Sequence, residues 1–241
     1  MTIEDDLARA LSQAHRNRTN DVDQGVYAEI DRAAAYRVQR ATTKALGASA
    51  GMYKIAVAPD GGGMIAPIFA QFVAGSGELD LPAAAVTGLE VEIGMVLARD
   101  LSPGSDRATV EAAVERYFVG MEICGTRYLD RSAATPGAAL ADSMSALGYA
   151  IGGDWSRGTD IDGVEVVLRV DDAEIYRAPA KHGFGGVLEA LVAYAKMPEH
   201  PYRLVAGTIV TTGSMCGLVP TRVTGTATAE FGGQVVTARL V

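Results

Sequence analysis

The 241-residue sequence predicts an α+β fold that is mainly β and carries helices at its N-terminus. Apolar residues recur at helical spacing in the first fifty residues. From residue 52 onward, short runs rich in Val, Ile and Tyr alternate with turns that contain Gly, Pro and Asp. Strands and helices do not alternate regularly, which disfavours a doubly wound parallel sheet. We therefore expect a helical extension over residues 1–50 and one β-rich domain over residues 51–241.

Each expected element has a local signal in the sequence. The N-terminal segment predicts two amphipathic helices, the first around Leu7 and Leu11 and the second within residues 26–46, which contain neither Pro nor Gly. Two further helices are expected at residues 105–115, capped by Ser105 or Asp106, and at residues 186–196. The expected strands are residues 52–58, 66–73, 88–98, 117–124, 147–151, 164–170, 208–212, 222–231 and 234–241.

Composition and charge exclude several classes of protein. Lys and Arg number 21 against 29 for Asp and Glu, which gives a net charge of −8, and no basic run is present, so we expect no nucleic-acid partner. The acidic start does not indicate export, and the uncharged stretch 204–221 is interrupted by Gly and Pro, which excludes a membrane helix. We therefore expect a cytoplasmic protein in which Cys124 and Cys216 are reduced core thiols.

Three glutamates occupy strand positions where charge is costly. Glu90 and Glu92 alternate with apolar residues, so the period of two places both on one face of a strand. Glu122 lies inside residues 117–124, a run that otherwise reads as a buried strand. In one interpretation the first two side chains face water and Glu122 pairs with Arg127 or another base. In the other, all three converge on a divalent cation that relieves their repulsion.

A cation bound only by carboxylates would be a hard ion, Mg²⁺ or Mn²⁺, with coordination positions left open for water or substrate. Lys54 is the second unusual residue, because it lies in the middle of an expected strand. A lysine directed to solvent is the simpler interpretation. If Lys54 faces the acids, it can neutralise one charge, hold a substrate oxyanion or transfer a proton.

These features occur in the order found in the fumarylacetoacetate hydrolase superfamily, and the chain resembles its branch of 2-keto-4-pentenoate hydratases and 4-oxalocrotonate decarboxylases. The matching segments are Lys54, Glu90-Val91-Glu92, Glu122 with Gly125 and Arg127 behind it, residues 141–145, 148–152 and 207–214. The resemblance runs from about residue 27 to the C-terminus. It implies a mixed-sheet roll or barrel of the superfamily's C-terminal type, with residues 51–241 as the catalytic domain.

The resemblance also implies roles for individual residues. It implies that Glu90, Glu92 and Glu122 hold the metal and that Lys54 is the active-site lysine. It further implies that the substrate contacts are Arg127, Asp142, Ser145 and Thr212. Gln71 stands where the hydratases usually carry an acid, and a glutamine there can orient water or a substrate oxygen but cannot exchange protons near neutral pH.

The resemblance implies a metal-dependent enzyme of aromatic catabolism that acts on a small 2-oxo acid or its enol. We expect a hydratase, a lyase that adds water to a 2-hydroxy-2,4-dienoate and forms a 4-hydroxy-2-oxo acid. The alternatives are decarboxylation of a vinylogous 2-oxo diacid of the 4-oxalocrotonate type and hydrolysis of a carbon–carbon bond in an acylpyruvate. Gln71 favours decarboxylation, because protonating a carbanion demands less of a base than activating water does.

A binding protein that captures an oxo acid without turnover is the alternative from a different class. The presence of Lys54 together with all three glutamates argues against it. The resemblance implies a homo-oligomer, and the family often forms pentameric or decameric rings, but the number of subunits stays open. The sequence itself indicates no membrane partner.

Overall fold

The computed structural model describes residues 2–241. Its elements, in chain order, are α1 (Ile3–Asn17), α2 (Arg32–Leu46), β1 (Ala50–Val57), β2 (Gly63–Phe69), β3 (Val73–Gly75), β4 (Asp80–Leu81), β5 (Val86–Leu97), α3 (Arg107–Ala113), β6 (Val114–Gly125), α4 (Pro136–Ala141), β7 (Ala146–Asp154), β8 (Glu165–Val170), β9 (Ala173–Pro179), α5 (Glu189–Ala195), β10 (Ile209–Ser214), β11 (Val219–Pro220), β12 (Gly225–Phe231) and β13 (Gln234–Leu240). Among residues 2–241 we find no helix that could span a membrane.

The strands form two mixed sheets. The larger sheet has the order β2-β1-β10-β5-β6-β7-β3, with β11 paired to one end of β5, and the smaller has the order β4-β13-β12-β8-β9. The pairs β1–β10, β3–β7 and β4–β13 are parallel, and the remaining pairs are antiparallel. The predicted α+β class, mainly β with mixed sheets and N-terminal helices, is therefore confirmed.

The N-terminal helices begin and end at sequence signals. Thr2 and Asp5 form a capping box at the start of α1, in which each side chain accepts a hydrogen bond from the other residue's backbone N–H. Helix α2 ends at Gly47, whose φ of 62° is the left-handed conformation that glycine adopts without strain. The third helix begins after Asp106, one of the two predicted caps.

One continuous hydrophobic core joins the helices to both sheets. Leu11 of α1, Val38 of α2, Val91 of β5 and Ala229 of β12 belong to the same cluster of buried side chains. Secondary structure changes from helix to strand between Leu46 and Ala50, close to the predicted boundary at residue 50. The division into an extension and a catalytic domain itself stays a prediction.

Several segments differ from the sequence prediction, and the two-residue strands β4 and β11 are among those that were not predicted. The expected strand 66–73 is interrupted by a short 3₁₀ turn at Ala70–Phe72, because β2 pairs with β1 while β3 must reach β7 at the far edge of the sheet. Strand β9 was not predicted, since it is an exposed edge strand without an apolar alternation. Helix α4 was not predicted either, since its six residues are too few for a helical period to emerge.

A buried ion pair holds the segment that precedes β7. The Arg127 guanidinium bonds the Asp142 carboxylate, and it also donates to the carbonyl oxygens of Asp142 at 2.8 Å and Ala146 at 3.0 Å. Between these two carbonyls lies the turn Ser143–Ser145, in which all three residues have φ between 50° and 66°. Each non-glycine residue in this region costs about 1–3 kcal/mol, so the surrounding bonds must impose the turn.

We expect Arg127→Leu to lower the free energy of unfolding by about 3–5 kcal/mol, because it leaves the Asp142 carboxylate buried without its cation. The matched control is Arg239→Leu, which breaks an exposed pair with Asp80 and should cost less than about 1 kcal/mol. Urea unfolding followed by circular dichroism measures both values. Equal losses in the two variants would show that the buried pair does not hold the turn.

Candidate active site

A cavity of about 760 Å³ opens beside the middle of the larger sheet. Its wall includes Lys54, Glu90, Glu92, Cys124, Arg131 and Ser145. Apolar surface is supplied by Leu129, Met144, Phe184 and Leu218. A cavity of this size, lined by apolar groups with a few charged groups among them, is typical of a site for a small ligand.

Strand pairing brings the three predicted glutamates together. Glu90 of β5 lies directly opposite Glu122 of β6, and Glu92 lies two residues further along the same face. The Glu92 and Glu122 side chains are fully buried, whereas Glu90 is half-buried and reaches the cavity. Opposed residues in an antiparallel pair have Cβ atoms about 5 Å apart, so their carboxylates can share one ligand.

Two glycines leave room for aromatic rings beside these acids. A Cβ at Gly120, opposite Glu92, would lie 2.4 Å from the hydroxyl oxygen of Tyr149. A Cβ at Gly94 would lie 2.2 Å from the ring of Phe118. The rings of Phe118 and Tyr149 meet edge to face, and they close the sheet face next to the carboxylates against water.

Lys54 reaches the acids from β1. Its Nζ lies 2.5 Å from Glu122 Oε1 and donates a second hydrogen bond to the carbonyl oxygen of Met144 at 3.2 Å. Only 13% of the Lys54 side chain is exposed, so the simpler interpretation of a lysine directed to solvent is wrong. The suggested pair between Glu122 and Arg127 is also wrong, because Arg127 is bound to Asp142 instead.

One lysine does not balance three acids. Burial raises the pKa of Glu92 well above its ordinary value, and the charges of Glu122 and Glu90 add to that effect. Burial likewise raises the pKa of Glu122 to about 7, although Lys54 opposes the shift. Burial by itself would lower the pKa of Lys54, but Glu122 and the neighbouring acids outweigh it and raise that pKa.

Two carboxylate oxygens lack any hydrogen-bond donor. Glu92 Oε2 accepts a bond from the hydroxyl of Thr211, whereas Glu92 Oε1 and Glu122 Oε2 are buried and unpartnered among residues 2–241. Buried polar atoms are normally satisfied, so these two oxygens call for a partner that is not part of the chain. A hard divalent cation fits the donor set, since it takes oxygen ligands and neutralises the excess negative charge.

The predicted substrate-binding residues separate into two groups. Ser145 lies on the cavity wall, where its hydroxyl accepts a hydrogen bond from Arg131 Nε at 2.7 Å. Arg127 and Asp142 are not on the wall, because they form a buried ion pair with each other behind the turn. Thr212 is also not on the wall, because its hydroxyl donates to the carbonyl oxygen of Val187. These three residues support the cavity from behind and do not reach its interior.

Gln71 lies away from the cavity as well. It is exposed on the 3₁₀ turn between β2 and β3, where the chain leaves one edge of the sheet for the other. The structure therefore does not support the prediction that it is catalytic.

Sequence reasoning missed two groups that the structure brings to the site. Cys124 Sγ lies 3.5 Å from oxygens of both Glu90 and Glu122, and burial raises the pKa of this thiol. A signal was present, because Cys124 follows Glu122 by two residues and so shares its strand face. Arg131 and Arg222 also line the cavity. Arg131 begins a short 3₁₀ turn, and Arg222 precedes β12, which starts at Gly225 and not at residue 222 as predicted, so no sequence period places either side chain at the cavity.

Comparison with known proteins identifies related chains. Residues 59–238 match the family model described as fumarylacetoacetate (FAA) hydrolase C-terminal. A 4-oxalocrotonate decarboxylase from Pseudomonas sp. is 28% identical over 153 residues, which are 63% of this chain and 59% of that protein. The matched part thus spans less than two thirds of the relative's length.

Solved structures share the fold. The 4-oxalocrotonate decarboxylase from Pseudomonas putida G7, complexed with magnesium and adipate, superposes with a TM-score of 0.78 at 20% identity, covering 99% of this chain and 97% of the other. The 2-hydroxyhepta-2,4-diene-1,7-dioate isomerase from Mycobacterium marinum gives a TM-score of 0.55 at 18% identity, covering 79% and 73%. At these identities the likeness establishes the fold. Because the family model matches well over half of the residues, this chain belongs to the fumarylacetoacetate (FAA) hydrolase C-terminal family.

Proposed function

We propose that this protein is a divalent-metal-dependent decarboxylase of a small vinylogous 2-oxo diacid. The observation that carries the proposal is the cluster of Glu90, Glu92 and Glu122, two of which have unpartnered buried oxygens, beside a cavity that Glu90, Glu92 and the largely buried Lys54 line. The 4-oxalocrotonate decarboxylases among the related proteins support this reaction in preference to the hydration expected from the sequence.

Glu90, Glu92 and Glu122 would hold Mg²⁺ or Mn²⁺, and the magnesium in the related decarboxylase structure supports this assignment. When bound, the ion would act as a Lewis acid that stabilises negative charge on the 2-oxo oxygen of the substrate. The buried carboxylates must ionise to bind it, because a proton on Glu122 competes for the same oxygens.

Lys54 would act as the proton donor. Without a metal its pKa is raised by the neighbouring acids, so the ammonium group stays charged at neutral pH and cannot serve as a base; a divalent ion at the carboxylates would offset their charge and make the proton easier to release. Loss of carbon dioxide sends the electrons of the broken carbon–carbon bond through the conjugated double bond to the 2-oxo oxygen. Lys54 donates a proton toward that oxygen to give the 2-hydroxy-2,4-dienoate, and water then returns a proton to the lysine.

The charge distribution favours a dianionic substrate. The chain carries a net charge of −8, which repels anions, yet Arg131 and Arg222 line the cavity beside Lys54. Neither arginine forms an ion pair with a carboxylate anywhere in residues 2–241. Their guanidinium groups are therefore available for the carboxylates of a diacid.

Hydration and carbon–carbon bond hydrolysis both need a base that activates water. Within the described chain no histidine lines the cavity, and its carboxylates are those of Glu90, Glu92 and Asp130. The two glutamates belong to the proposed metal site, and hydrogen bonds from Ser132 lower the pKa of Asp130 and make it a weak base. Decarboxylation needs only a proton donor, which Lys54 supplies.

The homo-oligomer expected from the resemblance stays a prediction.

The test is product analysis with 4-oxalocrotonate and with 2-hydroxy-2,4-pentadienoate, each incubated with the protein and Mg²⁺ or Mn²⁺ in ¹⁸O-labelled water. We expect release of carbon dioxide from the first compound and no addition of labelled water to the second. Incorporation of the label at the 4-position without release of carbon dioxide would replace the proposal by hydration. Metal binding with neither reaction would favour the binding-protein alternative.

We expect Glu92→Gln to weaken Mn²⁺ binding by about tenfold or more, because it removes a charged ligand. The melting temperature of the metal-free protein should stay equal or rise, since the substitution also removes a buried carboxyl group whose ionised form is disfavoured by burial and by its acidic neighbours. The control is Glu115→Gln, an exposed residue of the same strand as Glu122. Calorimetric titration with Mn²⁺ and thermal unfolding give the two values, and unchanged Mn²⁺ binding in Glu92→Gln would contradict the metal site.

We expect Arg131→Gln to raise KM for the diacid by about tenfold or more, because a charge-assisted hydrogen bond contributes about 1.5–3 kcal/mol. The control is Arg116→Gln, which alters an exposed pair with Asp154 outside the cavity wall. Steady-state kinetics separates KM from kcat. A fall in kcat at constant KM would mean that Arg131 acts on the reaction step and not on substrate binding.

A further inference from the structure

Cys124 places a thiol inside the carboxylate cluster. Its Sγ lies 3.5 Å from Glu90 Oε2 and 3.5 Å from Glu122 Oε1, and single ligand atoms of these three residues all lie within 4.8 Å of one another. The side chain is buried at the inner end of the cavity. No hard cation needs this thiol, since Mg²⁺ and Mn²⁺ select oxygen ligands.

The separations match the ligand shell of a different class of ion. A tetrahedral Zn²⁺ lies about 2.3 Å from a thiolate sulfur and about 2.1 Å from a carboxylate oxygen, which places the two ligand atoms about 3.6 Å apart. The sulfur in this structure lies 3.5 Å from both carboxylates. The two sulfur–oxygen separations thus suit such an ion, which would take Glu122 Oε1 in place of the hydrogen bond from Lys54.

A second observation, made on the other oxygen of Glu122, points to a cation at this cluster. Glu122 is fully buried, and its Oε2 has no hydrogen-bond partner among residues 2–241. The other cysteine lacks this setting. Cys216 Sγ accepts from the Val91 N–H at 3.5 Å and contacts the hydroxyl of Ser214 and the carbonyl oxygen of Gly217, all of which are uncharged.

We propose that Glu90, Glu122 and Cys124 form a binding mode for thiophilic divalent ions such as Zn²⁺ and Cd²⁺. The ion replaces the thiol proton, which passes to water, and takes two carboxylates that the proposed Mg²⁺ site also uses. The two kinds of ion therefore exclude each other, and a thiophilic ion converts the enzyme to a form without its working metal. This inference rests on the metal site of the proposed function and holds whichever reaction the site performs.

The test is titration of the metal-free protein with Cd²⁺, monitored by the ultraviolet charge-transfer absorption of a cadmium–thiolate bond. We expect the band to saturate at one equivalent in the wild-type protein and in the matched control Cys216→Ser, and to be absent in Cys124→Ser. Cys124→Ser should weaken Cd²⁺ binding by about tenfold or more while changing Mn²⁺ affinity by less than about threefold. Electron paramagnetic resonance should show that Cd²⁺ releases bound Mn²⁺.

Three results would overturn the inference. They are a band that persists in Cys124→Ser, a band that is lost in Cys216→Ser, and Cd²⁺ binding that leaves Mn²⁺ in place. If Cys124→Ser does not fold, the cadmium NMR chemical shift of the wild-type complex shows whether a thiolate binds the ion. A thiolate ligand moves this chemical shift far from the range of sites with oxygen ligands alone. Carbon dioxide release without the band would refute only this inference, and the band without any turnover would refute only the proposed reaction.

Discussion

Mutual repulsion among Glu90, Glu92 and Glu122 is the constraint around which this structure is organised. Two unit charges about 4 Å apart repel by roughly 4 kcal/mol at an effective dielectric constant near 20. Two of these side chains are buried, and among residues 2–241 the one cationic side chain paired with them is that of Lys54. The metal-free protein therefore carries an unfavourable charge cluster, which the long pairing of β5 with β6 and the continuous core hold in place. Function at this site is obtained at the expense of stability.

A buried ion pair near the carboxylate cluster positions other residues of the site. The Arg127–Asp142 pair holds a left-handed turn, and that turn presents the Met144 carbonyl to Lys54 and the Ser145 hydroxyl to Arg131. Two of the cationic side chains of the cavity thus depend on one strained segment. Arg127 and Asp142 lie behind the cavity wall, where their ion pair holds the turn. A substrate in the cavity would contact Met144 and Ser145 of that turn and not the ion pair itself.

Charge also decides which chemistry suits the cavity. The protein as a whole is acidic, but the cavity opposes its buried acids with Lys54, Arg131 and Arg222. Under the proposed function, this arrangement would bind a small dianion that loses carbon dioxide and then needs a proton rather than an activated water molecule. The thiol of Cys124 adds a soft donor beside the carboxylates, and this is the basis of the proposed competition between thiophilic and hard ions.

The sequence by itself determined the elements and the faces. Helix caps marked where helices begin, and the apolar run of β6 marked a strand. The period of two in β5 placed Glu90 and Glu92 on one side of that strand. Such patterns depend only on near neighbours along the chain. The tertiary structure alone decided that Lys54 meets Glu122, 68 residues away, and that Gln71 and Thr212 point elsewhere. Those outcomes depend on strand order, register and the crossover from β2 to β3. They arise from contacts distant in sequence, on which no local period carries information.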